Sequence, residues 1–240
     1  MNIKTIMDQK KVAILQSNYI PWKGYFDLIN MVDEFILYDD VQYTKNDWRN
    51  RNRIKTVQGV QWLSIPVFKE SLSQKIKDTK IIQQDWNKKH WKTIKINYAK
   101  AQYFKDYSDN FENAYMTCTY KNLSAINYSF IKAINNILGI TTKISFSSEY
   151  SFKGDKTEKI ISILKEAKAT EYLSGPAARD YIDENLFQQE GITLAWMNYS
   201  GYREYTQLYP PFEHAVSVID LIFNEGPKAN RYLKSFKEVI

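Results

Sequence analysis

Short apolar runs and stretches of helical spacing alternate along most of the chain. Val12-Ala13-Ile14-Leu15 is apolar and ends in Gln16-Ser17-Asn18, the pattern of a buried strand entering a loop. Pro21 and Gly24 punctuate that loop, and Tyr25 to Ile29 then carry helical spacing. Glu34 to Tyr38 is a second strand, closed by Asp39-Asp40. A strand, a short helix and a strand predict a βαβ unit with a right-handed crossover. Tyr43 to Asn52 is polar and aromatic without periodicity and reads as a loop. Ile54 to Val57 and Gln61 to Ile65 flank Gln58-Gly59 and predict a β-hairpin, with another strand over Thr79 to Ile82.

From Asp85 to about Leu138 the period becomes helical. Trp86, Trp91, Ile94 and Tyr98 recur at that spacing, as do Leu123, Ile126, Phe130, Ile134 and Leu138, with Gly139 placed to cap the last helix. Strand and helix then alternate again: strand at 143–147, helix at 156–168, strands at 171–175 and 192–197. Two such alternations predict an α/β fold, a mostly parallel sheet built from both ends of the chain, with a helical insertion in the middle. The expected organisation is one α/β domain over 1–240, with a helical subdomain at about 85–139.

Composition narrows the class. A chain of 240 residues, 44% hydrophobic and 25% charged, is expected to fold without a disulfide or metal staple. No run approaches the roughly 18 apolar residues of a membrane helix. The start MNIKTIMDQKK lacks the apolar core of a signal peptide, so a cytoplasmic location is expected. Cys118 stands alone and the histidines are two, His90 and His214, which argues against a cysteine- or histidine-based metal centre. The net charge of +6 favours an anionic partner, and the 15% aromatic share suits stacking on a sugar or base.

Polar clusters fall at three predicted strand ends: Gln16-Ser17-Asn18, Asp39-Asp40 and Ser174-Gly175. In open α/β sheets ligands bind beyond the carboxyl ends of strands. Capping of a helix or turn accounts for any one of these residues; the three clusters together favour a site. Trp48-Arg49-Asn50-Arg51-Asn52-Arg53 holds three of the chain's six arginines at alternate positions. Arginine forks bind phosphate or carboxylate, and Trp48 is suited to stack a ring. Extended backbone there would put Arg49, Arg51 and Arg53 on one side and Asn50 and Asn52 on the other. His90, between Trp86 and Trp91, is either a general base or a satisfied helical histidine. His214, at a predicted helix start after Pro210-Pro211-Phe212-Glu213, and Cys118 carry less weight, and there is no Walker loop or G-x-S-x-G elbow.

The segment Asn18 to Tyr25 resembles the first loop of class I synthetases and nucleotidylyltransferases, but Tyr25 stands where those enzymes place a phosphate-holding histidine. A wider resemblance runs through the whole chain. Ala13-Ile14-Leu15-Gln16, Tyr19, Pro21, Gly24-Tyr25-Phe26, Tyr38-Asp39-Asp40-Val41-Gln42, Trp48 and Asn50 to Ile54 resemble the WbqC-like family. So do Trp86, His90, Tyr172 to Gly175, Tyr205, Gln207 and Ser217 to Leu221, in that order. The strand–helix alternation reads as a Rossmann-like sheet, and the resemblance implies a step in bacterial surface-polysaccharide (O-antigen) biosynthesis. It implies transfer of an acyl or aminoacyl group, such as glycyl, to an amino sugar on a nucleotide carrier. It fixes no cofactor and leaves the donor open among CoA, a carrier protein and tRNA.

On this reading the partner is an anionic small molecule, a nucleotide sugar. Arg51 and Arg53 hold anionic oxygens, Trp48 stacks, and Asp39, Asp40 or His90 takes the proton from the attacking amine. Asn18 or Asn50 would stabilise an oxyanion, and Gln16, Tyr19, Tyr25, Ser174 and Gly175 complete the binding residues. The alternative is a nucleotide-, tRNA- or carrier-protein-binding module without catalysis, using the same basic and aromatic segment.

Overall fold

A computed structural model describes residues 9–82 and 85–236. Its strands are β1 (Lys11–Leu15), β2 (Glu34–Leu37), β3 (Arg51–Thr56), β4 (Gly59–Ser64), β5 (Lys143–Phe146), β6 (Glu171–Ser174) and β7 (Thr193–Trp196). Its helices are α1 (Lys23–Asn30), α2 (Trp86–Tyr98), α3 (Phe104–Met116), α4 (Leu123–Leu138), α5 (Lys156–Glu166), α6 (Glu184–Gln189) and α7 (Val218–Glu225). No described helix is long and apolar enough to cross a membrane.

The chain forms two compact units. The first comprises the N-terminal segment through Leu15, Met31–Tyr38 and Thr142–Asn198. It contains one five-stranded sheet in the order β5-β2-β1-β6-β7, parallel at every pairing. The fold is α/β and Rossmann-like, with strands from both ends of the chain as the apolar runs predict. Strand order reverses between β1 and β6, where an open α/β sheet has its switch point. Val12, Ile14, Ile36 and Tyr172 from the strands pack with Ile160, Ile163 and Leu164 of α5 and Phe187 of α6. The inner strands β1 and β2 are near-continuously apolar, as strands of a parallel sheet covered on both faces are. Ser174 is buried at the end of β6 with its hydroxyl 3.2 Å from that of Tyr172, and Gly175 leads into a 3-10 turn at Pro176–Asp180.

The second unit comprises Gln16–Asn30, Asp39–Thr141 and the segment from Tyr199 onward. Here α2, α3 and α4 pack with α7 and the antiparallel β3-β4 hairpin. Trp91 stacks on Phe104 and Tyr115 at 6.2 and 6.0 Å, and Phe223 of α7 meets Tyr98, Phe104 and Phe111. Asn122 caps the start of α4, and Gly139 ends it at φ 72°, a left-handed conformation that favours glycine.

Three expectations change. The loop read over 43–52 ends early, because Arg51 and Asn52 already pair with Ser64 and Leu63. Thr79 to Ile82 is not a strand: it makes only the single bridges Val67–Ile81 and Lys80–Asn122, after a 3-10 turn at Ile76–Asp78. The helix start read at His214 lies a few residues further on, where α7 begins at Val218 with Ser217 as its N-cap.

Glu34 is the one carboxylate wholly enclosed in the sheet unit's described residues. It is 0% exposed and accepts from Lys10 Nζ (2.6 Å), Ser145 Oγ (2.7 Å) and Tyr150 Oη (2.6 Å), with Lys143 Nζ at 2.8 Å. Burial pushes its carboxyl up, but the hydrogen bonds from Lys10, Lys143, Tyr150 and Ser145 outweigh that and bring it down to about 2. A depressed carboxylate stabilises the fold above its unfolded value and loses that contribution as pH falls through its folded value. Glu34→Gln is therefore expected to cost about 3 kcal/mol at neutral pH. The same substitution should flatten the loss of stability between pH 4.5 and 2, read by chemical denaturation across that range.

Candidate functional site

The loop between β1 and α1 is built around an unfavourable backbone. Ile20 has φ 36°, a left-handed conformation that costs a β-branched residue about 1–3 kcal/mol. Asn52 offsets it: its amide nitrogen donates to the carbonyls of Tyr19 (3.1 Å) and Ile20 (2.9 Å). Its side-chain oxygen accepts the Arg53 amide at 2.8 Å. The Tyr19 amide donates to the Trp48 carbonyl at 3.0 Å, and the Val218 amide to the Pro21 carbonyl at 2.9 Å. The period-two expectation holds within β3, where Asn52 faces inward while Arg51 and Arg53 lie half-buried on the other side.

The lower half of the loop rests on Asp39. This carboxylate is 2% exposed, accepts the Ser17 amide at 2.8 Å and accepts the Ser124 hydroxyl. Burial raises its pKa, opposed by the hydrogen bonds from Ser124 and Ser17. Asn127 donates to Ser17 Oγ at 3.0 Å and to the Arg49 carbonyl at 2.9 Å, so Asp39 and the arginine-rich segment belong to one hydrogen-bonded cluster. Arg49 donates to the side-chain oxygen of Asn18, and Tyr25 donates to the Gln16 carbonyl at 3.0 Å. Asp40 forms ion pairs with Lys77 at 2.6 Å and Lys75 at 3.4 Å.

Tyr19 points the other way, into an aromatic cage of Trp86, His90 and Phe130. Its hydroxyl lies 2.9 Å from His90 Nδ1 and 2.7 Å from the Tyr115 hydroxyl. Burial lowers the His90 pKa to about 4, against a hydrogen bond to the Ser64 backbone that raises it. The imidazole is neutral at physiological pH.

Above this framework lies a pocket of about 280 Å³ lined by Asn18, Pro21, Trp22, Trp48, Asn52 and Ala215. The two indoles are its largest surfaces. Trp22 can reach its place because Gly24 lacks a side chain; a Cβ there would come within 2.3 Å of the indole. Beside the pocket a ladder of rings and cations runs along the hairpin. Arg51 lies 4.1 Å above Trp62, and Arg53 lies 5.6 Å from Trp62 and 5.7 Å from Trp48. The two indoles, 39% and 41% exposed, meet at 5.4 Å. The Nε atoms of Arg51 and Arg53 have no hydrogen-bond partner.

Of the predicted site residues, Asn18 and Trp48 line the pocket, and Arg51 and Arg53 flank it. Gln16, Tyr19, Tyr25, Asp39 and His90 hold the loop from behind. Asn50 closes the start of the hairpin through Ile65, donating to its carbonyl at 2.8 Å, with its side-chain oxygen unpartnered. Ser174 and Gly175 lie in the sheet unit. The sequence reading missed Trp22 as a wall and Asn52 as the brace of the loop. It also missed Asp220, 0% exposed, which accepts from Tyr98 (2.8 Å), Tyr205 (2.7 Å) and Gln207 (2.9 Å). Tyr98 also accepts the Lys55 amide at 3.0 Å, tying α7 to the hairpin. Among the described residues no three His, Cys, Asp or Glu side chains gather as metal ligands would.

The model of the WbqC-like protein family matches residues 16–232. The chain belongs to that family. It is 50% identical over 226 residues to the uncharacterized protein Rv1507c of Mycobacterium tuberculosis, covering 94% of this chain and 98% of the relative. No solved structure matches it. The family stretch contains the whole loop-and-hairpin cluster together with Tyr205, Gln207 and Asp220, so in this WbqC-like protein the ordered motifs form two buried polar hubs under one pocket.

Two outcomes follow from this geometry. Asn52→Ala leaves two loop carbonyls unpaired and is expected to destabilise by about 3 kcal/mol, measured by denaturant unfolding. His90, whose folded pKa lies below its ordinary 6.5, makes stability fall as pH drops from 6.5 towards 4 and leaves it flat above 6.5. Proton-detected titration should find the imidazole neutral down to about pH 4, and a midpoint near 6.5 would contradict the buried placement.

Proposed function

We propose that the protein is a transferase that forms an amide on an amino sugar carried on a nucleotide. Its setting is bacterial surface-polysaccharide (O-antigen) biosynthesis, with a cytoplasmic location. The observation that supports this most is the pairing of an aromatic-walled pocket with two arginine guanidinium groups held against indoles beside it. A planar or saturated ring fits against Trp48 and Trp22, and the diphosphate meets the terminal nitrogens of the Arg51 and Arg53 guanidinium groups beside them. Asn18, whose oxygen is taken by Arg49, presents its amide nitrogen as a donor to the oxyanion formed when the amine attacks the acyl carbon.

In this reading Asp39 and His90 are positioning residues. Both carboxylate oxygens of Asp39 and the Nδ1 face of His90 are already engaged with the loop. The amine proton then leaves to water or to the departing group of the donor, which is an acyl thioester of CoA or of a carrier protein, or an aminoacyl-tRNA. The new C–N bond replaces the donor's C–S or C–O bond.

A binding module without chemistry is the second reading, and the half-exposed Trp62 favours it. Tilted against Trp48 at 5.4 Å, with the Arg51 guanidinium 4.1 Å from its ring, it suits a nucleobase on a polyanion.

The test is mass spectrometry of the protein incubated with amino-sugar nucleotides and acyl or aminoacyl donors. The expected product is the acylated sugar nucleotide. Replacing both Arg51 and Arg53 by Ala should raise KM for the nucleotide sugar by about 10- to 100-fold, with kcat less affected. Absence of product with every donor, together with oligonucleotide affinity that falls steeply with salt, would support the second reading.

A further inference from the structure

A second recess lies on the far side of the Trp22 ring system. Trp22 meets Tyr202 at 5.6 Å, and Tyr202 lines a separate cavity of about 250 Å³ with Arg203, Arg231, Tyr232 and Lys234. That is the room of about eight water molecules. Three cationic side chains from two separate segments converge on it, and none of its lining residues is acidic. Lys234 Nζ also donates to the Ser200 carbonyl, and a recess lined by cations with no acidic residue favours an anionic ligand. Two carboxylates touch the walls from behind and are already engaged: Asp27 with the Lys234 and Ser235 amides and the Tyr202 hydroxyl, and Glu225 with the Tyr232 hydroxyl and with the Thr206 amide at 3.3 Å.

The walls are fixed. Asp27, 0% exposed, accepts the amides of Lys234 and Ser235, both at 2.8 Å, and Asn30 donates to Ser235 Oγ at 3.0 Å. Lys23 donates to the Arg203 carbonyl at 3.0 Å, which pins the opposite wall. Lys23 and Lys234 place their ammonium groups 5.2 and 5.0 Å from the Tyr202 ring, so the aromatic wall is itself clamped by cations. Arg203 and Arg231 are exposed at the rim, where guanidinium forks can turn onto a ligand in bidentate fashion.

We propose that this recess binds the phosphate or diphosphate group of a small molecule. It is separate from the pocket at Trp48 and does not rest on the transferase reading. If that reading holds, the recess accommodates a phosphate-bearing second substrate.

The test is calorimetric titration with inorganic pyrophosphate at low ionic strength, on the full chain. Arg203 and Arg231 replaced together by Ala, and separately Arg231→Glu as a single change at an exposed position, should each weaken pyrophosphate binding at least tenfold. Thermal melting checks that both variants remain folded. Replacing Arg51 and Arg53 by Ala should leave this binding in place. Undiminished binding in the Arg203/Arg231 variants overturns the proposal, as does absence of any millimolar binding by the wild type. Loss confined to the Arg51/Arg53 variant also overturns it while leaving the transferase reading intact. Displacement of pyrophosphate from the recess by a nucleotide sugar, or by coenzyme A, supports the proposal and says which carries the phosphate.

Discussion

Everything proposed for the pocket depends on two hydrogen bonds from Asn52 to the carbonyls of Tyr19 and Ile20. Ile20 at φ 36° would relax if its loop were free, because a β-branched side chain crowds the carbonyl in that region. The bend nevertheless serves two ends. It sends Tyr19 down into the ring cluster of Trp86, His90 and Phe130, and it sends Pro21 and Trp22 up to form the pocket wall. An extended Ile20 could not place two successive bulky residues on such different sides of the loop. Asparagine is suited to the brace because one side chain supplies both the donor for the carbonyls and the acceptor for the Arg53 amide.

Two buried carboxylates carry the rest of the framework. Asp39 and Asp220 are both nearly inaccessible, both have pKa values raised by burial, and both are surrounded by donors. A buried carboxylate is tolerated when its oxygens are filled, and its removal leaves several donors stranded together. Asp39 joins Ser17, Ser124 and, through Ser17, Asn127. Asp220 joins Tyr98, Tyr205 and Gln207. Chemically reactive-looking residues thereby act as fasteners between segments far apart in sequence. Paired carboxylates at a strand end read from sequence as acid–base machinery. In the folded chain one is enclosed and the other, Asp40, is paired with lysines.

The sheet was legible because parallel strands buried on both faces give uninterrupted apolar runs such as Val12 to Leu15 and Phe35 to Leu37. The helices of 85–138 were legible through their 3.6 period. Part of the site was too: alternation in Arg51-Asn52-Arg53 correctly separated inward from outward residues, and Trp48 lies on the pocket. What stayed hidden depends on tertiary contacts that leave no local period. Thr79 to Ile82 has strand-like residues but no partner run, so it forms single bridges. Trp22 looks like any loop aromatic until Gly24 is seen as the space its indole occupies. Asp220 sits on a short helix after a polar stretch, and its three hydroxyl and amide partners come from α2 and from residues 205–207.

The arrangement of the arginines bears on what the pocket selects. A guanidinium free in solvent pays rotamer entropy, up to about 2 kcal/mol, when it meets a ligand. Arg51 and Arg53 have part of that cost met beforehand, because each guanidinium already rests within 6 Å of an indole centroid. On the proposed function a ligand meets the edge formed by the terminal guanidinium nitrogens, since the Nε atoms are buried. Such an edge matches the two oxygens of a phosphate or carboxylate better than a lysine's point charge does. Trp48 takes part twice, as a pocket wall and as the support of Arg53, so a ring in the pocket and an anion on the ladder share one indole. A ligand with ring and phosphate joined uses both at once, whereas either fragment alone uses half of the surface. On the proposed function, selectivity for a phosphate-linked ring over its fragments would rest on Trp48 serving both as pocket wall and as the support of Arg53.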